Sequence, residues 1–140
     1  MKTLAYIFGI FFTGIYIYTA FISRSVNSKR YKFRIIFSLS CLLLGFLLDI
    51  SHIFNKPFGF ITIWSAAPLI YLFYYFVLSF LMKPIIGDHP YSPYRDRIGS
   101  KPQGIGYPKN RLVKVSDYVF GITLYLLPLI TIAFLLDRID

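Results

Sequence analysis

The sequence predicts an all-α integral membrane protein with four transmembrane helices. Of its 140 residues, 56% are hydrophobic and only 15% are charged, whereas an ordinary soluble domain is about half apolar and about one quarter charged. The apolar residues form four blocks separated by charged connectors. Each block has about 20 residues, the length of a helix that crosses the ~30 Å hydrocarbon core. Four crossings take up most of the chain, so we expect one membrane domain over residues 1–140.

The first two blocks differ in their polarity. Residues 4–22 contain no charge, and the run is too long for a cleaved signal peptide and lacks an A-x-A-like site after it, so we expect a retained helix. The second block, at about 35–54, is strongly apolar at first but then contains Asp49 and His52.

The last two blocks each contain a proline. Residues 60–82 are uncharged and include Pro68, where we expect a kink. Residues 118–136 include Pro128 near the middle, which a membrane helix tolerates when neighbours satisfy the freed carbonyl. All four blocks are continuously apolar rather than alternating, which favours helices over the ~10-residue strands of a membrane barrel.

The distribution of basic residues predicts the orientation. Connector one (23–34) and connector three (83–117) carry twelve of the fifteen Lys and Arg residues. The positive-inside rule therefore predicts that both connectors are cytoplasmic and that both termini are outside. The abundance of Ile, Phe, Lys and Tyr is typical of an AT-rich bacterial genome, so we expect the bacterial inner (plasma) membrane.

Connector three is the longest polar segment, and its five prolines and four glycines exclude a long helix through most of it. The pattern at 112–115 predicts a short amphipathic helix before the last crossing. Three interpretations stay open: a segment lying on anionic headgroups, a site for a phosphorylated or oligonucleotide ligand, and a plug packed under the helices. The candidate contacts with a ligand or headgroup are the basic residues Arg95, Arg97, Lys101, Lys109 and Arg111 and the tyrosines Tyr91, Tyr94 and Tyr107.

Asp49 and His52 are candidate residues of a pore or cavity lining. An ionisable residue inside a membrane helix is costly, by ~2.5–3.5 kcal/mol or more for Asp at the centre, and therefore indicates function. At a spacing of three, the two residues would share one helix face. The alternative is that the helix ends early, with Asp49 at the outer interface and paired with Lys56.

The catalytic inventory is small. The chain has six Asp and no Glu, and it lacks the H-E-x-x-H and G-x-S-x-G motifs. Asp49 and His52 offer only two metal ligands, and Cys41 is predicted to be a small buried hydrophobe. We therefore predict no catalytic residues, no metal and no cofactor. A small membrane enzyme using Asp88, His89 and Asp96 on a lipid phosphate is an alternative.

These features lead to one functional hypothesis with two alternatives. The hypothesis is a homo-oligomeric, cation-preferring ion channel or pore-forming membrane effector gated through connector three, with Asp49 as the pore charge and His52 as a modulator. By analogy of architecture, such an effector fits bacterial antiviral defence. The alternatives are an accessory or structural subunit of a larger membrane complex, which requires a protein partner, and the lipid-phosphate enzyme. The expected surroundings are a bilayer with anionic headgroups.

Overall fold

The computed structural model describes residues 2–22, 29–87, 96–101 and 111–139. Within these ranges the chain is helical and contains no strand, which confirms the predicted all-α class. The helices are α1 (Lys2–Ile22), α2 (Lys29–Ile50), α3 (Phe60–Ser65), α4 (Ala67–Leu81), α5 (Lys83–Ile86) and α6 (Val115–Asp137).

Two of these helices are long and apolar enough to cross a membrane. They are Tyr31–Ile50 within α2 and Val115–Asp137, with 20 and 23 residues. Only 28% of each apolar stretch is buried inside the chain. A helix in the core of a soluble protein would be mostly buried, so the remaining apolar surface of both helices requires lipid or a partner. The apolar segments Leu4–Ile17 and Ala67–Leu81 are shorter.

Helix α2 is shifted towards the N-terminus relative to the predicted range of 35–54. It begins at Lys29 because the basic residues after it are good helix formers, and a helix need not end where the hydrocarbon ends. It ends at Ile50, and His52 follows in a turn with a φ of 50°. The prediction that His52 lies in the helix and shares a face with Asp49 is therefore wrong.

The third apolar block is divided at Ala66 into two helices, next to Pro68, where the sequence predicts a kink. Helix α3 ends at Ser65, and α4 begins at Ala67 with Pro68 in its first turn. Proline has no N–H to donate to the carbonyl four residues earlier, that of Trp64, and its ring clashes with this carbonyl. The regular helix is therefore disturbed just before Pro68. The single residue Ala66 links the two helices.

Pro128 lies inside α6, and the neighbouring helix compensates for its missing donor. The carbonyl four residues before it belongs to Leu124, which therefore lacks its usual helical partner. The buried Tyr16 hydroxyl of α1 reaches this point: it lies 3.5 Å from the Leu124 oxygen and donates to the Tyr125 oxygen at 3.0 Å. Satisfaction of this carbonyl by a neighbour is what the sequence led us to expect.

Helices α3 and α4 form the centre of the bundle, and α1, α2 and α6 pack around them. Helix α2 approaches α3 closely at Gly45, where an added Cβ would lie 2.5 Å from the Ser65 Cβ. The core between α1, α2, α4 and α6 is rich in tyrosine. The rings of Tyr16 and Tyr71 are 5.2 Å apart, and those of Tyr31 and Tyr75 are 6.0 Å apart.

The described parts of connector three pack against the helices. The Gly99 N–H donates to the Val113 oxygen at 2.9 Å, and the Val113 N–H donates to the Ser100 oxygen at 2.9 Å. Residues 111–114 are not helical, and Lys114 has an extended backbone, so the amphipathic helix predicted there does not form and α6 begins at Val115. The Tyr118 hydroxyl also donates to the Asp96 carbonyl.

Candidate functional site

Asp49 is buried at the end of α2, with 7% of its surface exposed. Its carboxylate accepts hydrogen bonds from the Ile61 N–H at 3.2 Å and from the Thr62 N–H at 2.8 Å. It also accepts one from the Thr62 hydroxyl. Three donors from one short segment therefore surround this carboxylate inside the chain.

These donors belong to the first turn of α3, which explains why they need an acceptor. The first N–H groups of a helix have no partner within it, and the dipole at this end favours negative charge. The residue that precedes α3 is Gly59, which has no side chain to cap these groups and lies at a φ of 98°. Asp49 supplies the missing cap from the neighbouring helix. We call these hydrogen bonds the Asp49 cap.

The other polar groups near this end of the bundle do not join the Asp49 cap. His52 is exposed. Lys56 donates to the Tyr6 hydroxyl at 3.3 Å and lies 4.9 and 4.8 Å from the ring centroids of Tyr6 and Phe60. Helix α2 thus ends early, as in the alternative interpretation, but the carboxylate caps α3 instead of meeting this lysine. Nothing in the geometry tests whether Asp49 and His52 line a pore, and that role stays a prediction.

Among the basic contact residues predicted in connector three that the structure describes, Arg111 is the one anchored to two helices. Its guanidinium donates to the Ile86 carbonyl at the end of α5 and forms an ion pair with Asp117 in the first turn of α6. The Asp117 side chain is fully buried, and its second oxygen accepts the Lys114 N–H at 2.8 Å. Burial lowers the pKa of the Arg111 guanidinium below its ordinary value. We call this arrangement the Arg111 clamp.

The remaining predicted contacts fall into two groups. Arg97 and Lys101 are exposed and face away from the core. Outside the described residues lie Tyr91, Tyr94, Arg95, Tyr107 and Lys109. The proposed acid–base residues Asp88 and His89 lie there as well, so the lipid-phosphate enzyme stays a prediction. In the described ranges no three His, Cys, Asp or Glu side chains come together as metal ligands, and Cys41 is buried.

Sequence reasoning missed two residues. Thr62 carries no charge and gives no signal in an apolar block, yet it supplies two donors to Asp49. Arg34 was assigned to connector one, but it lies in α2 and is 7% exposed. Its spacing from the buried residues Tyr31 and Ser38, three and four positions away, is the helical signal that places it on the inner face.

Comparison with family models, with curated proteins and with solved structures finds no match for this chain.

Proposed function

We propose that this protein is a homo-oligomeric, cation-preferring ion channel or pore-forming membrane effector that crosses the bilayer four times, with both termini outside. The observation that carries the proposal is Asp49, a carboxylate buried within an apolar helical bundle. A charge at such a position is costly in a membrane and indicates an ion or proton pathway. In a cyclic oligomer, one carboxylate per chain forms a ring that attracts cations.

The Asp49 cap supplies the closed state of this channel. While the carboxylate accepts three hydrogen bonds from α3, its charge is stabilised within the chain and is held away from the pathway. In this proposal the six-residue helix α3 is the part that moves, with Pro68 weakening its connection to α4. Interrupted helices at buried polar sites are a feature of many ion-coupled membrane proteins. Release of α3 then exposes the carboxylate to the pathway.

The Arg111 clamp connects this gate to the cytoplasmic connector. It joins the end of α5 to the start of α6, and α6 packs against both α4 and α3. A ligand or partner that binds connector three and opens the clamp therefore changes the position of α6 against the central helices. Coupling through such a packed element requires that α6 has two arrangements against α3 and α4.

The test is the current across a planar bilayer that contains the purified protein in a salt gradient. We expect a reversal potential that shows cation preference, and Asp49→Asn should move it towards zero. Asp137→Asn is the matched control, because it removes the same charge from an exposed residue at the end of α6. Absence of current from inserted protein, with and without phosphorylated ligands, would refute the proposal. An unchanged reversal potential in Asp49→Asn would remove this residue from the pathway.

One observation favours the accessory subunit as a second candidate. Large outward-facing side chains of the long helices are apolar, as at Phe11, Leu43, Ile122 and Ile130. A pore wall between copies needs polar groups, whereas a surface for lipid or another membrane protein does not. Purification in a mild detergent separates the two candidates: a discrete homo-oligomer favours the channel, and a stoichiometric foreign subunit favours the accessory role.

A further inference from the structure

An open groove of about 760 Å³ lies on the surface between α2 and α4, with α6 at its far end. Its walls come from Tyr31, Lys32 and Ile35 of α2, from Thr131 of α6 and from residues 69–76 of α4 except the buried Tyr71 and Tyr75. The volume is within the ~300–1,000 Å³ of small-molecule sites. Most of the lining is aliphatic or aromatic, so the groove fits a hydrocarbon group.

The groove has a direction, because α2 and α4 run antiparallel. The first turn of α2 lies beside the middle of α4, where the Tyr31 hydroxyl donates to the Leu72 oxygen at 3.0 Å and the Tyr31 ring lies 6.0 Å from that of Tyr75. The last turns of α2 lie beside α3, at the contact between Gly45 and Ser65. Lys32 therefore marks one end of the groove. From Phe76 to Leu69 the wall extends about 10 Å along α4 towards the other end.

The charge is confined to the Lys32 end. Lys32 is exposed there, and it is the residue in the lining that carries a formal charge. Towards the other end, the polar atoms belong to Tyr74 and Thr131, whose hydroxyl oxygens are 2.8 Å apart and bond to each other. Residues 23–34, which include the first turns of α2, contain five basic residues and no acid. The groove is thus apolar along its length and cationic at one end.

We propose that this groove binds an acyl chain of an anionic phospholipid, with the lipid phosphate against the Lys32 ammonium. The inference rests on the proposed membrane topology, which puts the start of α2 at the cytoplasmic headgroups. Charge complementarity selects the lipid class, because an ammonium group at this level binds a net-negative headgroup better than a zwitterionic one. The chain then covers the aromatic and aliphatic wall of α4.

The test measures lipid retention by native mass spectrometry of the full chain in detergent, with equal amounts of phosphatidylglycerol and phosphatidylcholine. We expect phosphatidylglycerol to be retained preferentially and Lys32→Gln to weaken its binding about fivefold. Lys32→Arg should preserve the binding of phosphatidylglycerol because it keeps the positive charge. Lys114→Gln is the matched control, since it removes an exposed cation that does not line the groove. Phe73→Ala removes an exposed ring from the groove wall and should weaken retention of the lipid through its acyl chain.

Several outcomes would overturn the inference. Equal loss in Lys32→Gln and Lys114→Gln means a general surface charge effect, and equal retention of both lipids means that charge does not select the occupant. Unchanged lipid binding in Phe73→Ala means that the acyl chain lies outside the groove. Displacement of the lipid by a foreign membrane protein means that the groove is a protein interface. Helix content from circular dichroism checks that each variant is folded. Lipid retention is measured independently of current. Failure of the lipid-binding inference can therefore be distinguished from failure of the proposed channel function, which would give no current across the bilayer.

Discussion

The hydrogen bond between Tyr16 and the proline-interrupted part of α6 gives the sharpest prediction of stability. Tyr16→Phe removes only the hydroxyl that reaches the oxygens of Leu124 and Tyr125, and the ring packing stays. The Leu124 carbonyl is then left without a donor, because Pro128 has no N–H. We expect the substitution to lower the free energy of unfolding through this carbonyl.

The magnitude follows from the burial of the groups. Tyr16 is 1% exposed and Leu124 is also 1% exposed, so water does not replace the lost donor. Leaving a buried acceptor unsatisfied costs about 1–3 kcal/mol. In a Pro128→Ala background, the new N–H supplies the Leu124 carbonyl within the helix. The cost of Tyr16→Phe should then fall to about 0.5 kcal/mol or less, which gives a coupling energy of about 1–2 kcal/mol.

The assay is reversible unfolding in mixed micelles at increasing fractions of sodium dodecyl sulfate, followed by circular dichroism for the four proteins of the cycle. Tyr31→Phe is the matched control: this buried tyrosine also donates to a carbonyl on another helix, that of Leu72, but lies away from Pro128. Its cost should be equal in both backgrounds. If Tyr16→Phe likewise costs the same with and without Pro128, to within about 0.5 kcal/mol, the proposed compensation is wrong.

Two further predictions concern the close contact in the bundle and the clamp, and both use the same unfolding assay. Gly45→Ala should destabilise the fold by about 1–3 kcal/mol because the new methyl group overlaps α3. The control is Gly14→Ala, which has open space around it and should stabilise the fold by about 0.5–1 kcal/mol. Equal effects of the two substitutions would show that α2 does not approach α3 this closely. Arg111→Gln should cost about 2–4 kcal/mol because Asp117 stays buried without its cation. Arg97→Gln, at an exposed residue, should change stability by no more than about 0.5 kcal/mol, and a similarly small effect at Arg111 would contradict the clamp.

The helical class follows from local sequence, and it is confirmed for the described residues. A block of about 20 apolar residues leaves few alternatives to a helix. The exact ends of the helices depend on contacts between them. Helix α2 stops at Ile50 next to the Asp49 cap, and α3 begins at Phe60, where Asp49 supplies the acceptor for its first turn.

The candidate functional residues also fall into two classes: some are recognisable from local sequence, and others depend on contacts between helices. Asp49 is recognisable from sequence because a charge in an apolar block is costly anywhere along the block. Its partner Thr62 is not, since polar residues without charge are common in such helices. Arg111 is one of seven basic residues in connector three, and only the position of Asp117 and of the end of α5 distinguishes it from the exposed Arg97.

The Asp49 cap also has a consequence for biogenesis. Its donor and acceptor are twelve and thirteen residues apart, so α3 can reach Asp49 soon after α2 leaves the ribosome. In the proposed membrane topology, helix α2 alone would enter the lipid with an exposed carboxylate, whereas α2 paired with α3 carries a hydrogen-bonded one. The two segments should therefore integrate as one hairpin. Truncation of the nascent chain before Thr62 should lower the membrane insertion of α2, and Asp49→Leu should make that insertion independent of α3.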